Sequence, residues 1–455
     1  MENGKSDSTF TGRLGFILAA AGSAVGLGNI WRFPYLAEEY GGGIFLLVYL
    51  VLVVTFGFAL MLTEVSLGRR TGKSCIAAFG ELSQKHRAIG WIAALVPALI
   101  LPYYCVIGGW VTKYSVDYIA GSGSVVAGAG FFESFIECGL TGLMGNPMVW
   151  FIVFAVITLL VVAFGVQNGI ERVSKVLLPL LLVMLIAITV YSFTIPGVVD
   201  GLKFYLYPDF SNFSMSTVLG AMGQLFFSMS LAMGIMITYG AYMKKDVPIE
   251  KSVRNISIID TSVAFLAGLL IVPMVIVLGG GSMNSGPGLM FETLPLVFET
   301  MPGGHVIAAV FFILVFFAAL TSSISIAEAV ILALKDRFNL DRMKAIAVVA
   351  VITLVLGTLS CLGYGPLDSI TIIGKPFLDF FDFFVNYIMM PLVAVMTCLF
   401  IGFVVKPKVI IDEVKLSGDF AWEKPYVILV KWVCPVCLIL ILMTGLLDLF
   451  GVFTL

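Results

Sequence analysis

The chain has 455 residues, 60% of them apolar and 12% charged, with a mean hydropathy of +1.07 and a formal net charge of −2. Soluble domains carry about 25% charged residues, so the composition excludes an ordinary soluble enzyme or nucleic-acid-binding module and indicates an integral membrane protein. Seven cysteines scattered through apolar runs suggest no disulfide framework, and Cys434-Pro-Val-Cys437 lies in a membrane helix without the context of a redox fold.

About eleven apolar stretches are long enough to span a bilayer. They lie near residues 13–38, 42–68, 88–116, 147–165, 170–193, 214–242, 253–280, 305–334, 343–363, 377–405 and 426–450. Residues 1–12 form a polar tail. The unbroken run onward from Ala19-Ala-Ala21 to Arg32 argues against a cleaved signal peptide. With the N-terminus placed in the cytoplasm, only Lys113, Lys203, Lys375 and Arg32 of the 26 Lys and Arg fall off the inner side. The positive-inside rule then sets the orientation, and an odd number of spans places the C-terminus outside.

The first span contains Gly22-Ser-Ala-Val-Gly-Leu-Gly-Asn-Ile-Trp-Arg-Phe-Pro34. Three glycines within seven residues weaken helix there. Backbone broken at membrane depth is tolerated only where protein or a water-filled cavity satisfies the freed groups. Freed carbonyls suit a hard cation, and a restarted helix N-terminus suits an anion. Asn29 stands at the restart, placed to cap the second half-helix or to offer its oxygen to an ion. Arg32 adds a permanent charge at an apolar depth where charge is costly and usually functional. The plainer alternative, a glycine-rich packing face, explains neither Asn29 nor Arg32.

Gly68-Arg-Arg-Thr-Gly-Lys-Ser74, after the second span, looks like a phosphate-binding loop but is one residue short and follows a membrane helix. Between the seventh and eighth spans, Gly286-Pro-Gly288 and Thr293-Leu-Pro295 punctuate an external segment suited to short helices and a lid. Ser228-Met-Ser-Leu-Ala-Met-Gly234 interrupts the sixth span as the glycines interrupt the first. Breaks opening each half of the chain point to an inverted-repeat transporter with its site near the midplane. In the eighth span, Ala318-Ala-Leu-Thr-Ser-Ser323 offers the hydroxyls of Thr321 and Ser322 either to an ion or to their own backbone. Glu64, Asp260, Glu328, Asp379 and Asp382 are intramembrane carboxylates expected to face protein or water.

These stretches, with Gly41-Gly-Gly43, Gly169-Ile-Glu-Arg172, Gln224-Leu-Phe-Phe-Ser228 and Leu320-Thr-Ser-Ser323, resemble the neurotransmitter:sodium symporter family over essentially the whole chain. The likeness is greatest to its bacterial amino-acid transporters, and the family itself exemplifies the rule of paired broken helices. The resemblance implies an all-α membrane protein of two inverted five-helix repeats, 13–193 and 214–405, with a trailing helix at 426–450. It implies a first sodium site made by Ala24, Asn29, Ser228, Asp260 and the substrate carboxylate. A second would use Gly22, Val25, Ala318, Thr321 and Ser322. An all-oxygen shell of this kind suits a hard cation.

The substrate would be bound by Ala24, Gly28, Ile100, Tyr104, Phe227, Ser228, Ser230, Met233, Ser322 and Ile326, with Tyr104 on its carboxylate. Arg32 and Asp382 would form the outer gate and Asp336 the acidic half of an inner gate. Phe10 stands where relatives carry tryptophan. Gly26 stands where monoamine-transporting members carry an aspartate, so the substrate is expected to bring its own carboxylate. Asp260 replaces a common asparagine one turn before neutral Ala264, a position where some chloride-independent members carry a carboxylate. It is expected to serve as sodium ligand and built-in anion, so that chloride is not required. Gly169 and Pro179 bracket a stretch at the inner end of the fifth span, fit either for local unwinding or for an ordinary proline kink.

The expectation is a sodium-coupled symporter for a neutral hydrophobic or aromatic L-amino acid in a prokaryotic cytoplasmic membrane, using two sodium ions. A sodium channel would need neither two broken helices nor an aromatic lid. A non-transporting amino-acid sensor on the same fold is the other alternative. An enzyme is disfavoured, since the only histidines, His86 and His305, form no metal-binding or nucleophile–base arrangement.

Overall fold

The computed structural model describes residues 9–278 and 287–449. Residues 1–8 of the tail, Gly286 of the external turn, and the last expected residues of the seventh and eleventh spans (279–280 and 450) lie outside the described residues. Every named element among those described is helical, and the β-bridges are isolated ones, Gly42 with Pro208 and Ile372 with Lys375.

Among the described residues, eight helices are long and apolar enough to cross a bilayer: Gly43–Thr71, Gln84–Ile119, Val166–Ser192, Ile249–Leu278, Gly304–Phe338, Arg342–Leu362, Phe377–Val404 and Glu423–Thr444. A bent pair, Arg13–Ala24 and Gly28–Glu39, forms the first span with a 54° bend. The fourth expected span is the shorter apolar helix Pro147–Ala163, and the sixth is the interrupted pair Met215–Ser228 and Ile235–Ala241. The fourth begins with Pro147 behind an Asn146 cap and ends just before Gly165, whose φ of +85° no β-substituted residue adopts readily. Interrupted helices therefore open each five-helix half, and the eleventh span trails.

Spans three and eight pack closely at the centre, where they back both breaks. Pro97 and Pro102 sit inside the third span, and Pro179 inside the fifth, which begins as a π-helix, Val166–Glu171, containing Gly169. Pro287 precedes the short helical turns Leu289–Thr293 and Leu294–Glu299 of the external segment.

The second half of span six lies against span two so closely that side chains are excluded. A Cβ on Gly68 would collide with the Ile237 carbonyl oxygen, and one on Gly240 with that of Val65. Both obstacles are backbone, so the helices would have to part. Gly240→Val is expected to cost about 1–3 kcal/mol through overpacking, seen as a lowered thermal unfolding midpoint in detergent. A variant as stable as the parent would show that the crossing has slack.

Candidate functional site

The first helix ends at Ala24, and Val25 turns to an extended conformation (φ −73°, ψ 97°). The second half restarts as a π-helix, Gly28–Arg32. Asn29 ties the restart together: its Oδ1 accepts the Gly26 N–H at 3.0 Å, while its Nδ2 donates to Ser228 Oγ at 2.9 Å and Asp260 Oδ1 at 2.7 Å. Ser228 Oγ also donates to the Asp260 carboxylate at 3.0 Å. Asn29, Ser228 and Asp260 thus meet at one fully buried point.

The second break is built differently. Ser230, Ala232 and Gly234 have φ of +53°, +61° and +71°, and only one of the three is glycine. Left-handed Ser and Ala are strained and need outside support. Ala232 N–H donates to Glu64 Oε1 at 2.7 Å, and Ser230 Oγ donates to the Ser23 carbonyl at 3.1 Å. The two breaks therefore bond each other. Gln224 Nε2 donates to the Gly28 carbonyl (2.9 Å), and Tyr104 OH accepts the Leu27 N–H (3.3 Å).

The freed carbonyls of the first break turn toward span eight. Ser322 Oγ lies 3.0 Å from the Ser23 carbonyl, 3.3 Å from that of Val25 and 3.5 Å from that of Gly22. Thr321 Oγ1 bonds its own helix at Phe317 (3.0 Å) and Ala318 (3.1 Å), beside Gly22. All five groups assigned to a second sodium site converge, with the Thr321 hydroxyl also serving the backbone. Oxygen donors dominate both clusters, as alkali-metal binding requires.

Every residue assigned to the substrate lines one cavity between the breaks: Ala24, Gly28, Ile100, Tyr104, Phe227, Ser228, Ser230, Met233, Ser322 and Ile326, joined by Ser23, Gly26 and Asn29. Its volume is about 20 Å³, so the walls are drawn tightly together. The Phe227 ring rests on Gly28, where a Cβ would stand 2.5 Å from the ring. A Cβ on Gly26 would stand 2.6 Å from Ser322 Oγ. Residue 26 thus has no room for a side chain unless Ser322 moves. Ile100, Phe227, Met233 and Ile326 make the apolar wall, and Asn29, Ser228 and Ser322 contribute polar groups to the same cavity.

Above the cavity, the Arg32 guanidinium lies 5.3 Å from the Phe227 ring centroid, a cation–π contact. No direct ion pair within 4 Å joins it to Asp382, whose Oδ1 instead accepts from Asn386 Nδ2 at 2.7 Å. Asp379 accepts the Tyr364 hydroxyl at 2.8 Å.

The opposite end is fastened more heavily. Phe10 is buried edge-on against Phe16, Tyr239 and Tyr242, so phenylalanine fills the wedge where tryptophan occurs in relatives. Thr11 donates its N–H to Glu171 Oε2 (2.9 Å) and its hydroxyl to the same carboxylate. Asp336, expected as the acidic half of the inner gate, bonds a backbone amide in this structure. Its Oδ2 accepts the Ser74 N–H (2.6 Å), and it makes no ion pair within 4 Å among the described residues. Two ion pairs lie at this end: Arg69 with Glu413 at 2.8 Å, both buried, and the half-buried Arg342 with the buried Glu328 at 2.5 Å, which also accepts from Tyr242 OH at 2.6 Å. The phosphate-loop look-alike is a helix end. Gly72 supplies a left-handed cap (φ +64°), and Lys73 pairs with Glu81 at 2.7 Å, a hydrogen bond that raises its amine above the usual lysine value. Sequence reasoning missed the roles of Glu64 and Arg342; the only signal was that Glu64 and Glu328 were costly carboxylates without partners.

A membrane-embedded carrier with two facing helix breaks around an oxygen-rich pocket is what this geometry defines. Residues 7–122 and 135–451 match the model of the sodium:neurotransmitter symporter family, and the chain belongs to that family, a family of sodium-dependent symporters. It is 35% identical over 436 residues to the sodium-dependent transporter YhdH of Bacillus subtilis, covering 94% of this chain and 95% of that one. It is also 27% identical over 394 residues to the rat sodium- and chloride-dependent GABA transporter 2, covering 74% of this chain and 64% of that protein. The crystal structure of MhsT in complex with L-phenylalanine superposes with a TM-score of 0.87 at 37% identity, covering 96% of this chain and 99% of that one.

Two outcomes test the two ends. Asp382→Asn is expected to slow sodium-driven uptake more than it weakens equilibrium substrate binding; a larger defect in Asp379→Asn would assign the gate to Asp379. Arg342→Gln strands the buried Glu328 charge and is expected to cost about 3–5 kcal/mol of stability. Arg342→Gln with Glu328→Gln should restore most of the thermal midpoint. A double variant no more stable than Arg342→Gln would show that the pair is not the fastening.

Proposed function

We propose that this symporter couples the entry of two sodium ions to uptake of a neutral, hydrophobic or aromatic L-amino acid across the cytoplasmic membrane of a prokaryote, with its N-terminus in the cytoplasm and without chloride. One observation carries the reading. A single small cavity sets an apolar wall of Ile100, Phe227, Met233 and Ile326 against freed backbone at Ala24, Gly26 and Gly28 and against Asn29 and Ser228, both of which are hydrogen-bonded to the Asp260 carboxylate. A zwitterion fits that division: side chain to the apolar wall, carboxylate to a sodium ion and the second half-helix's N-terminus. The complex of MhsT with L-phenylalanine agrees with it. Met233, unbranched and adaptable, allows the wall to accept several side chains once the cavity dilates.

The energetics are sufficient. A sodium ion moving down 100 mV yields roughly 2.3 kcal/mol, and a tenfold concentration gradient adds about 1.4 kcal/mol. Two ions supply roughly 7 kcal/mol, enough for a substrate gradient on the order of 10⁵.

In proteoliposomes, an inward sodium gradient is expected to drive saturable uptake, competed by tryptophan, phenylalanine or leucine and much less by tryptamine or glutamate. Stronger competition by tryptamine would overturn the substrate class. Sodium-dependent binding without flux would mark a sensor.

Asp260 is the fixed negative charge that balances the ions in this reading, where a chloride-dependent relative would recruit an anion beside positions matching Tyr49, Gln224 and Ser228. Uptake should survive replacement of chloride by gluconate at constant sodium. Asp260→Asn should lose uptake or become chloride-dependent. A wild-type protein that stops without chloride would remove Asp260 from that role.

A further inference from the structure

We propose that the membrane-facing groove between the second and seventh spans binds one anionic phospholipid of the cytoplasmic leaflet, with its phosphate on Arg254 and an acyl chain between the two helices. The groove has a volume of about 450 Å³. Leu50, Val53 and Val54 of span two face Ile258 and Phe265 of span seven across it. Phe58 and Trp422, with ring centroids 5.6 Å apart, close one side.

Along span seven, Glu250, Arg254, Ile258, Thr261 and Phe265 follow a spacing of three or four and share one helix face. That face begins with charge at Glu250 and Arg254 and is mainly hydrocarbon beyond it, at Ile258 and Phe265, with the Thr261 hydroxyl between them. From Arg254 to Phe265 the helix rises about 16 Å, close to one leaflet of a hydrocarbon core about 30 Å thick.

Arg254 supplies the selectivity. It is exposed, and no carboxylate lies within 4 Å of it among the described residues. Glu250, one turn earlier, is occupied by the Ala421 N–H at 3.1 Å. An unpaired guanidinium at the headgroup level is complementary to a phosphate, which it can hold bidentately. Deeper in the groove, the buried Thr261 hydroxyl has no hydrogen-bond partner. Leu, Val, Ile and Phe make up most of the apolar wall, and Ser257, Thr261 and Ser262 also line it.

Native mass spectrometry of the full-length protein in detergent, with equimolar dioleoyl phosphatidylglycerol and dioleoyl phosphatidylcholine added, tests the assignment. One retained lipid is expected, with phosphatidylglycerol favoured about fivefold, the contribution of one arginine near the headgroups. Arg254→Gln should abolish the preference. Ile258→Trp, which fills the groove from an exposed position, should abolish retention itself. Unchanged thermal midpoints would show that both variants fold. Equal retention of the two lipids by the wild type, or an unchanged preference in Arg254→Gln, would overturn the proposal. A dimer mass that Ile258→Trp converts to monomer would also overturn it, by assigning the face to a second copy of the chain.

Discussion

Backbone that leaves helical geometry inside a bilayer has no water to turn to, and each unpaired amide or carbonyl there costs several kcal/mol. This chain breaks two helices at the same depth and lets each break serve the other. Ser230 reaches the Ser23 carbonyl, Gln224 the Gly28 carbonyl, and Ser322 the carbonyls of Ser23 and Val25. Glu64 holds the strained Ala232 from the second span, and Tyr104 receives the Leu27 amide from the third. Most of these side chains are also walls of the central cavity. The ion-binding groups and the substrate-facing surface are therefore one mechanical unit: a shift in either break must disturb both.

Close approach is the second half of that design. Gly26 and Gly28 let Ser322 and the Phe227 ring come against the first break, while Gly68 and Gly240 let spans two and six touch backbone to backbone. Gly26 and Gly28 belong to the cavity wall, as does the adaptable side chain of Met233, whereas Gly68 and Gly240 stiffen the frame outside it.

The spans were legible because apolar length is a strong signal, and the first break because three glycines in seven residues admit few other readings. The second break was half legible. Its serines announced an interruption, but left-handed Ser230 and Ala232 are sustained by Glu64 from a distant helix, which no local pattern reveals. The pocket residues emerged through the family resemblance, since Ile100 and Ile326 carry no chemical mark of their own. Asp336 shows the limit of sequence pattern: an acid at a helix end reads equally well as a gate or as a partner for a backbone amide, and its bond to the Ser74 N–H comes from a distant element. Arg342 stands at the start of a span, where a basic residue is unremarkable until Glu328 is found beneath it.

The two ends of the pathway are secured unequally. On the side of residues 9–12, a buried aromatic wedge, the Thr11–Glu171 bonds and the Arg342–Glu328 pair must all come apart together. On the other side, Arg32 rests on an aromatic ring and Asp382 is held by an amide, with no ion pair between them. Thermal agitation therefore works on a stiff hinge at one end and a light one at the other. More contacts must break to open the side of residues 9–12 than to open the other, so the contacts weight the carrier toward parting first at its lightly held end.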